Sequence, residues 1–160
     1  WKGSEKMDNE RLSTDEIVEE YKESVKKLIR YIPWMESRQG QRVSATYEGN
    51  GIDKISLSIP VYDSTLLGFV KEAKSTNLID KNYAYAYSKY RMKTEQDELK
   101  CIANAKITDM FLLKGILSKY VLRGMTKAVL WSEGIENGVL LALLYKLREL
   151  IEFYEGSLEK

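Results

Sequence analysis

Histidine is absent from the 160 residues of this chain, and cysteine occurs once, as Cys101. Histidine is the usual general base near neutral pH and the commonest metal ligand. Its absence excludes a Ser-His-Asp or Cys-His catalytic site and any zinc site that needs histidine. A single cysteine excludes a disulfide within the chain and is typical of a reducing, cytoplasmic protein. We interpret Cys101 as a small buried residue of a helix.

Long hydrophobic runs are also absent. The longest run, Val139 to Tyr145, is far shorter than the ~20 residues that a membrane-spanning helix needs. No secretory signal is recognisable either, so we expect no membrane association and a cytoplasmic location. Residues 1–6 precede Met7 and are interpreted as a remnant ahead of the natural start. The remaining residues, 7–160, are predicted to form a single globular domain.

Charge is balanced overall but uneven along the chain. The whole chain has 25 basic and 24 acidic residues, whereas residues 64–127 have 12 basic and 6 acidic residues. A basic middle region between acidic ends is compatible with a polyanion site. The alternative is that these charges neutralise one another in the folded protein.

Hydrophobic periodicity and capping residues predict mainly helices. Ser13 and Glu16 have the spacing of a capping box, and Thr94 with Asp97 resembles another N-terminal cap. Pro33 should break or restart the first helix. The apolar stripe within 139–154 predicts a central core helix. Together these patterns predict a helix-dominated α+β domain of five to seven helices.

A small antiparallel sheet is predicted from residues 43–62. Residues 43–47 favour a strand, 48–51 form a turn signal, and apolar residues alternate with polar ones over 55–61. The tyrosine-rich segment 82–90 is interpreted as a third strand or as an ordered loop. The expected sheet therefore has two or three strands.

Tyrosines and basic residues are combined in the segment 81–93. Three tyrosines alternate with small residues, so in a strand their rings would lie on one face. Aromatic rings beside cations hold single-stranded nucleic acids and nucleotides by base stacking and phosphate pairing. The alternatives are a tyrosine face that covers the core and a protein interface. The candidate binding residues are Tyr83, Tyr85, Tyr87, Lys89, Tyr90, Arg91 and Lys93.

A second basic group lies further along the chain. It comprises Lys119, Arg123 and Lys127, preceded by Lys114. The turn before Lys127 offers backbone N–H groups to a phosphate, but the spaced glycines of a P-loop are missing. A solvated helix face explains the same residues.

No motif predicts catalysis, a metal site or a cofactor. The aspartates at 63, 80 and 109 each stand beside a predicted helix start, where aspartate is a common cap. Ser118, Lys119 and Tyr120 are adjacent on a predicted helix and point in different directions, so they indicate no catalytic dyad.

Four stretches of the chain resemble a family of short bacterial proteins. They read YIPWME at 31–36, PVYDSTL at 60–66, GMTK at 124–127 and LWSE at 130–133. That family occurs mainly in Firmicutes genomes and mobile elements and is labelled only as a domain of unknown function. The resemblance covers about residues 25–155. It implies a bacterial cytosolic origin and a phage or mobile-element setting, and it supplies no catalytic residue.

The leading hypothesis is a non-enzymatic binding protein that acts through a protein partner, for example as an inhibitor of a host defence system. The alternative is nucleic-acid or nucleotide binding through the segment 81–93. A third hypothesis is an enzyme with a pocket that joins Asp63 to a tyrosine and a lysine. The sequence does not specify an oligomeric state.

Overall fold

The computed structural model describes residues 13–38, 44–47, 59–62, 64–127 and 129–158. Within these ranges eight α-helices, one 3-10 turn and two short strands are present. In chain order they are α1 (Thr14–Ile29), α2 (Ile32–Arg38), β1 (Ser44–Tyr47), β2 (Ile59–Tyr62), α3 (Ser64–Lys74), α4 (Tyr83–Lys89), α5 (Glu95–Asn104), the 3-10 turn (Ile107–Asp109), α6 (Met110–Gly124), α7 (Val129–Glu136) and α8 (Val139–Leu158).

Helix α1 begins at the predicted cap. The Ser13 side chain accepts a hydrogen bond from the Glu16 backbone N–H at 3.2 Å, which satisfies one of the free donors of the first turn. After Ile29 the chain turns and restarts as α2, with Pro33 in its first turn, where the missing N–H costs no helical hydrogen bond. The predicted cap and the predicted restart are both confirmed.

Helix α8 is the central helix, as its apolar stripe predicts. It packs most extensively along α1 and also contacts α2, α5, α6 and α7. Gly138, at φ 80°, separates it from α7, and the Asn137 side chain accepts the Val139 N–H at 2.9 Å. Its fully buried side chains fill the space between these helices: Val139, Leu140, Leu143, Leu144, Leu147 and Ile151.

Helix α6 is the second axis of the core. It packs against α4 on one side and α7 on the other, and the 3-10 turn leads directly into it. Asp109 fixes this entry, because its carboxylate accepts the Lys106 N–H at 2.9 Å. The close approach of α4 requires a glycine, since a Cβ built on Gly115 would lie 2.6 Å from the Ala86 Cβ.

The predicted α+β class is wrong. The segment 82–90, expected as a third strand or an ordered loop, contains helix α4, and the described residues form more helices than the five to seven expected. Alanine is the best helix former, and packing of Ala86 on α6 stabilises the helical conformation over a strand. The two-residue alternation of tyrosines therefore does not reflect a strand.

Strands β1 and β2 form a local antiparallel pairing of four residues each, with Ser44 opposite Tyr62. A pairing this short does not provide the sheet layer that an α+β class requires, so the fold class is helical. The predicted turn at 48–51 and the alternating residues 55–58 lie outside the described residues. No helix among the described residues is long and apolar enough to cross a membrane.

Candidate functional site

Helix α4 directs its three tyrosines to different surroundings. Successive helical residues are rotated by about 100°, so side chains two apart diverge and side chains four apart share a face. Tyr85 and Lys89 share the exposed face, and the Tyr85 side chain is 63% exposed. Tyr87, on the opposite face, packs against the core, and Tyr83 is half-buried. The expected platform of three rings on one face is therefore absent from this helix.

The C-terminus of α4 is a Schellman motif. The Met92 N–H donates to the Tyr87 carbonyl at 2.9 Å, and the Arg91 N–H donates to the Ser88 carbonyl at 3.3 Å. The motif requires a left-handed residue, and Arg91 occupies that position at φ 55°. Glycine adopts this conformation without strain, whereas in any other residue it costs a conformational energy of roughly 1 kcal/mol. Met92, the next residue, is buried and anchors the turn to the core.

A groove with a volume of about 990 Å³ runs between α1, α4 and the beginning of α6. We call it the aromatic groove. Tyr85 and Phe111 are neighbouring lining residues, with ring centroids 5.8 Å apart and ring planes tilted by 51°. Its lining residues are Ile17, Glu20, Tyr21, Asn82, Tyr85, Lys89, Tyr90, Thr108, Asp109, Met110, Phe111 and Lys114.

Two lysine ammonium groups lie over the rings of the aromatic groove. Lys89 Nζ is 5.7 Å from the centroid of Phe111 and 5.7 Å from that of Tyr90. Lys114 Nζ is 5.1 Å from the centroid of Tyr21 and donates to its hydroxyl at 3.1 Å. Cations at these distances are attracted to the faces of aromatic rings, which positions the ammonium groups in the groove.

Asp109 is a hydrogen-bonding partner within the protein rather than an open carboxylate. One oxygen accepts the Tyr90 hydroxyl at 3.4 Å, and the other accepts the Lys106 N–H at 2.9 Å. Burial, and then the neighbouring Asp109 charge and this hydrogen bond, raise the pKa of the Tyr90 hydroxyl. Tyr90 therefore stays protonated and acts as a donor at neutral pH.

Of the remaining candidate residues of the segment, Tyr83 is half-buried and lines neither depression. The others lie around a second depression, of about 600 Å³. Tyr87, Ser88, Arg91, Met92 and Lys93 line it. The side chains of Arg91 and Lys93 are exposed there, beyond the end of α4. The structure thus distributes the other predicted binding residues over two neighbouring depressions, with Tyr85, Lys89 and Tyr90 in the aromatic groove.

A buried polar cluster lies behind α4 and is centred on Glu98 of α5, which is 1% exposed. The Glu98 carboxylate accepts the Tyr87 hydroxyl, the Tyr120 hydroxyl at 2.7 Å and the Lys119 ammonium at 3.0 Å. Asn137, before α8, donates to the Tyr120 hydroxyl at 3.1 Å. The Glu98 carboxylate therefore joins α4, α5 and α6, and the Tyr120 hydroxyl links the turn before α8 to this cluster.

Glu98 keeps two tyrosine hydroxyls of this cluster in their protonated form. Burial, followed by the charge and hydrogen bond of Glu98, raises the pKa of Tyr87, and burial and the Glu98 hydrogen bond raise the pKa of Tyr120. Both hydroxyls therefore remain donors to the carboxylate. Among the described residues, no buried side-chain polar atom lacks a partner, and no group of three acidic or cysteine side chains could hold a metal ion.

The second basic group is divided in the same way. Lys119 belongs to the buried cluster, whereas Arg123 and Lys127 are exposed near the end of α6. The backbone N–H groups of Thr126 and Lys127 donate to the Arg123 carbonyl at 3.1 and 2.9 Å, so they are not available to a phosphate. Asp63, named in the enzymatic hypothesis, lies outside the described residues.

Sequence reasoning did not identify several residues that make up these sites. Tyr21, Phe111 and Glu98 belong to no motif that the sequence analysis indicates. A partial signal for Glu98 was available, because it lies four residues before the buried Ile102 on the same face of α5. The partners of Tyr21 and Phe111 lie on other helices, and no local pattern indicates them.

Comparison of the chain with protein-family models, curated proteins and solved structures finds no match. The resemblance to the short bacterial proteins therefore stays a prediction.

Proposed function

We propose that this protein is a non-enzymatic binding protein that docks a protein partner in the aromatic groove. The observation that carries the proposal is the exposed Tyr85 ring, 63% accessible, beside Phe111 and under no covering element of the described residues. Adjacent exposed aromatic rings form an apolar patch, which is more informative than a single exposed residue, and tyrosine is enriched at the energetic centres of protein interfaces.

Covering this surface would contribute a binding free energy comparable to that of an anchor residue in a protein interface. A tyrosine buries 150–250 Å² when enclosed, so covering Tyr85 removes roughly 100 Å² of ring from water, or about 2.5 kcal/mol. Phe111 extends the same apolar surface, since its ring lies 5.8 Å from that of Tyr85. Tyr85 and Phe111 are therefore the expected anchors of the interface.

Protein docking is favoured over nucleic-acid binding by the composition of the groove. Sequence-independent binding of single strands uses successive rings along a continuous cationic channel. Here only Tyr85 of the three tyrosines of α4 is strongly exposed, and the carboxylates of Glu20 and Asp109 line the same groove. These carboxylates would repel a polyphosphate backbone.

The buried cluster supports a binding role over an enzymatic one. Each titratable group that converges on Glu98 is hydrogen-bonded to its carboxylate, and that carboxylate is only 1% exposed, so it is not open to a substrate. An inhibitor of a host defence protein, the setting that the resemblance implies, would act in the proposed way by occupying a surface of its target.

Affinity capture with matched variants tests the proposal. The wild-type chain, the double variant Tyr85→Ala/Phe111→Ala and the control Phe153→Ala are used as baits in nuclease-treated bacterial lysate. Phe153 is 69% exposed on α8 and lies outside the groove, so its removal matches the loss of exposed aromatic surface. A partner identified by mass spectrometry is then purified, and its Kd for each bait is measured by calorimetry.

We expect the double variant to bind at least about tenfold more weakly than the wild type, and Phe153→Ala to bind like the wild type. Circular dichroism checks that each bait is folded. Equal affinity of the double variant and the wild type for the purified partner would refute docking in the groove. If the wild-type bait captures material from untreated lysate but not from nuclease-treated lysate, the result instead favours the nucleic-acid hypothesis.

A further inference from the structure

The two lysines of the aromatic groove have no acidic partner among the described residues. Other lysines of the surface do: Lys22 pairs with Glu19, and Lys26 with Glu155, each at 2.9 Å. Lys89 and Lys114 instead contact ring faces. The groove thus offers two positioned ammonium groups to an incoming ligand.

The carboxylates that line the groove form no ion pair with these lysines within the described residues. Asp109 accepts hydrogen bonds from the Tyr90 hydroxyl and the Lys106 N–H. Glu20 lies on α1, where its side chain is exposed, and it forms no ion pair within the described residues. The groove thus combines two ammonium groups, which form no ion pair within the described part of the chain, with two carboxylates that would oppose a continuous polyanion along its whole length.

A third cation follows the C-terminal end of α4, where the backbone has a left-handed conformation. Arg91, at φ 55°, follows Tyr90 of the groove and lines the neighbouring depression with Lys93. From residue 81 to residue 94 the chain contains Lys81, Lys89, Arg91 and Lys93 and no acidic residue. The Schellman motif accounts for this backbone conformation, and the Arg91 side chain is exposed just beyond the end of α4.

We propose that the protein partner presents an acidic segment with an apolar anchor. This inference rests on the proposed docking in the aromatic groove. The apolar anchor packs on Tyr85 and Phe111, and flanking aspartate or glutamate side chains pair with Lys89, Lys114 and Arg91. Charge complementarity of this kind accelerates association and selects partners.

Two synthetic peptides test the charge requirement. Both contain the same tryptophan–leucine anchor; one has glutamates on both sides, and the other has glutamines in their place. Binding of each dye-labelled peptide to the full chain is measured by fluorescence anisotropy at low and high salt. An oligothymidylate of similar length serves as the polyanion probe.

We expect the acidic peptide to bind at least about tenfold more tightly than the neutral one at low salt, with a smaller ratio at high salt. The double variant Lys89→Ala/Lys114→Ala should lose this preference, whereas Lys71→Ala, which removes an exposed lysine that lines neither depression, should retain it. Arg91→Gly should weaken acidic-peptide binding while raising Tm by a few degrees, because it relieves backbone strain.

The opposite outcomes separate this inference from the proposed function. Equal affinity for both peptides, lost in Tyr85→Ala, overturns the acidic segment and leaves docking in the groove intact. Higher Tm with unchanged peptide affinity in Arg91→Gly overturns the role of Arg91. The inference is also overturned if neither peptide binds, or if the oligothymidylate binds more tightly than the acidic peptide. In either case, the affinities measured with the purified partner decide the proposed function independently.

Discussion

Substitution of Gly115 by alanine tests how α4 is positioned. In the interior of a helix this change normally stabilises by about 1 kcal/mol, because alanine has the better helix propensity. Here the added Cβ would lie 2.6 Å from the Ala86 Cβ, and an alanine methyl has no flexible end that could move aside. Helix α4 must therefore shift away from α6, and overpacking of this kind costs 1–3 kcal/mol. We expect a net destabilisation of about 1 kcal/mol.

The assay is thermal and urea unfolding followed by circular dichroism. For a chain of this length, about 1 kcal/mol corresponds to a decrease in Tm of roughly 2–4 °C. The matched control is Gly68→Ala in α3, where the new Cβ would meet the Tyr31 hydroxyl at 3.5 Å, an ordinary contact. Gly68→Ala should therefore be neutral or stabilising.

A compensating variant identifies the cause. In Ala86→Gly/Gly115→Ala the methyl group is transferred from α4 to α6, so the clash is removed. The double variant should be more stable than the sum of the two single changes, which a double-mutant cycle measures. If Gly115→Ala is as stable as the wild type, or if Ala86→Gly brings no recovery, the packing argument is wrong.

Three further predictions concern the core. Glu98→Gln leaves the neighbouring lysine ammonium, which is 20% exposed, without its carboxylate, and should lower the free energy of unfolding by about 2 kcal/mol in urea titrations. The raised pKa values of Tyr87 and Tyr120 mean that the folded state favours the neutral phenols. The resulting contribution to the free energy of unfolding is complete below the ordinary tyrosine pKa of about 10 and is lost as pH rises above that value. The free energy of unfolding should fall less steeply with pH in Tyr87→Phe. Gly124→Ala places a Cβ 2.1 Å from Trp131 Nε1, so it should destabilise by 1–3 kcal/mol and shift the tryptophan fluorescence; an unchanged spectrum and Tm would contradict this contact.

Local signals predicted the helix boundaries well. The caps at Ser13 and Thr94 act within three residues of sequence, and both form the predicted hydrogen bonds. At these caps short-range chemistry alone determines the structure. Glycine is a weak helix former at both 134 and 138, and only the structure shows that the break falls at Gly138, at φ 80°, while Gly134 stays inside α7.

The segment 82–90 shows where local patterns fail. Its alternating tyrosines fit a strand, but the contact of Ala86 with Gly115 stabilises a helix, and the sequence does not reveal that contact. The site has the same difficulty, since the Lys114 ammonium reaches the Tyr21 hydroxyl across 93 residues of sequence. The abundance of tyrosine and basic residues in the segment indicates Tyr85 and Lys89. The residues that share the groove with them depend on how α1, α4 and α6 pack.

The shortness of α4 has a consequence for the kinetics of the groove. A helix of seven residues is too short to persist in water by itself, so α4 is ordered only while Ala86 and Tyr87 are docked on their partners. We therefore expect α4 to open before global unfolding, so its amide hydrogens should exchange sooner than those of α8. A ligand that contacts Tyr85 binds only molecules in which α4 is docked, so the apparent Kd equals the intrinsic Kd divided by the docked fraction. Ligand binding should therefore slow amide exchange in α4 before it changes exchange elsewhere.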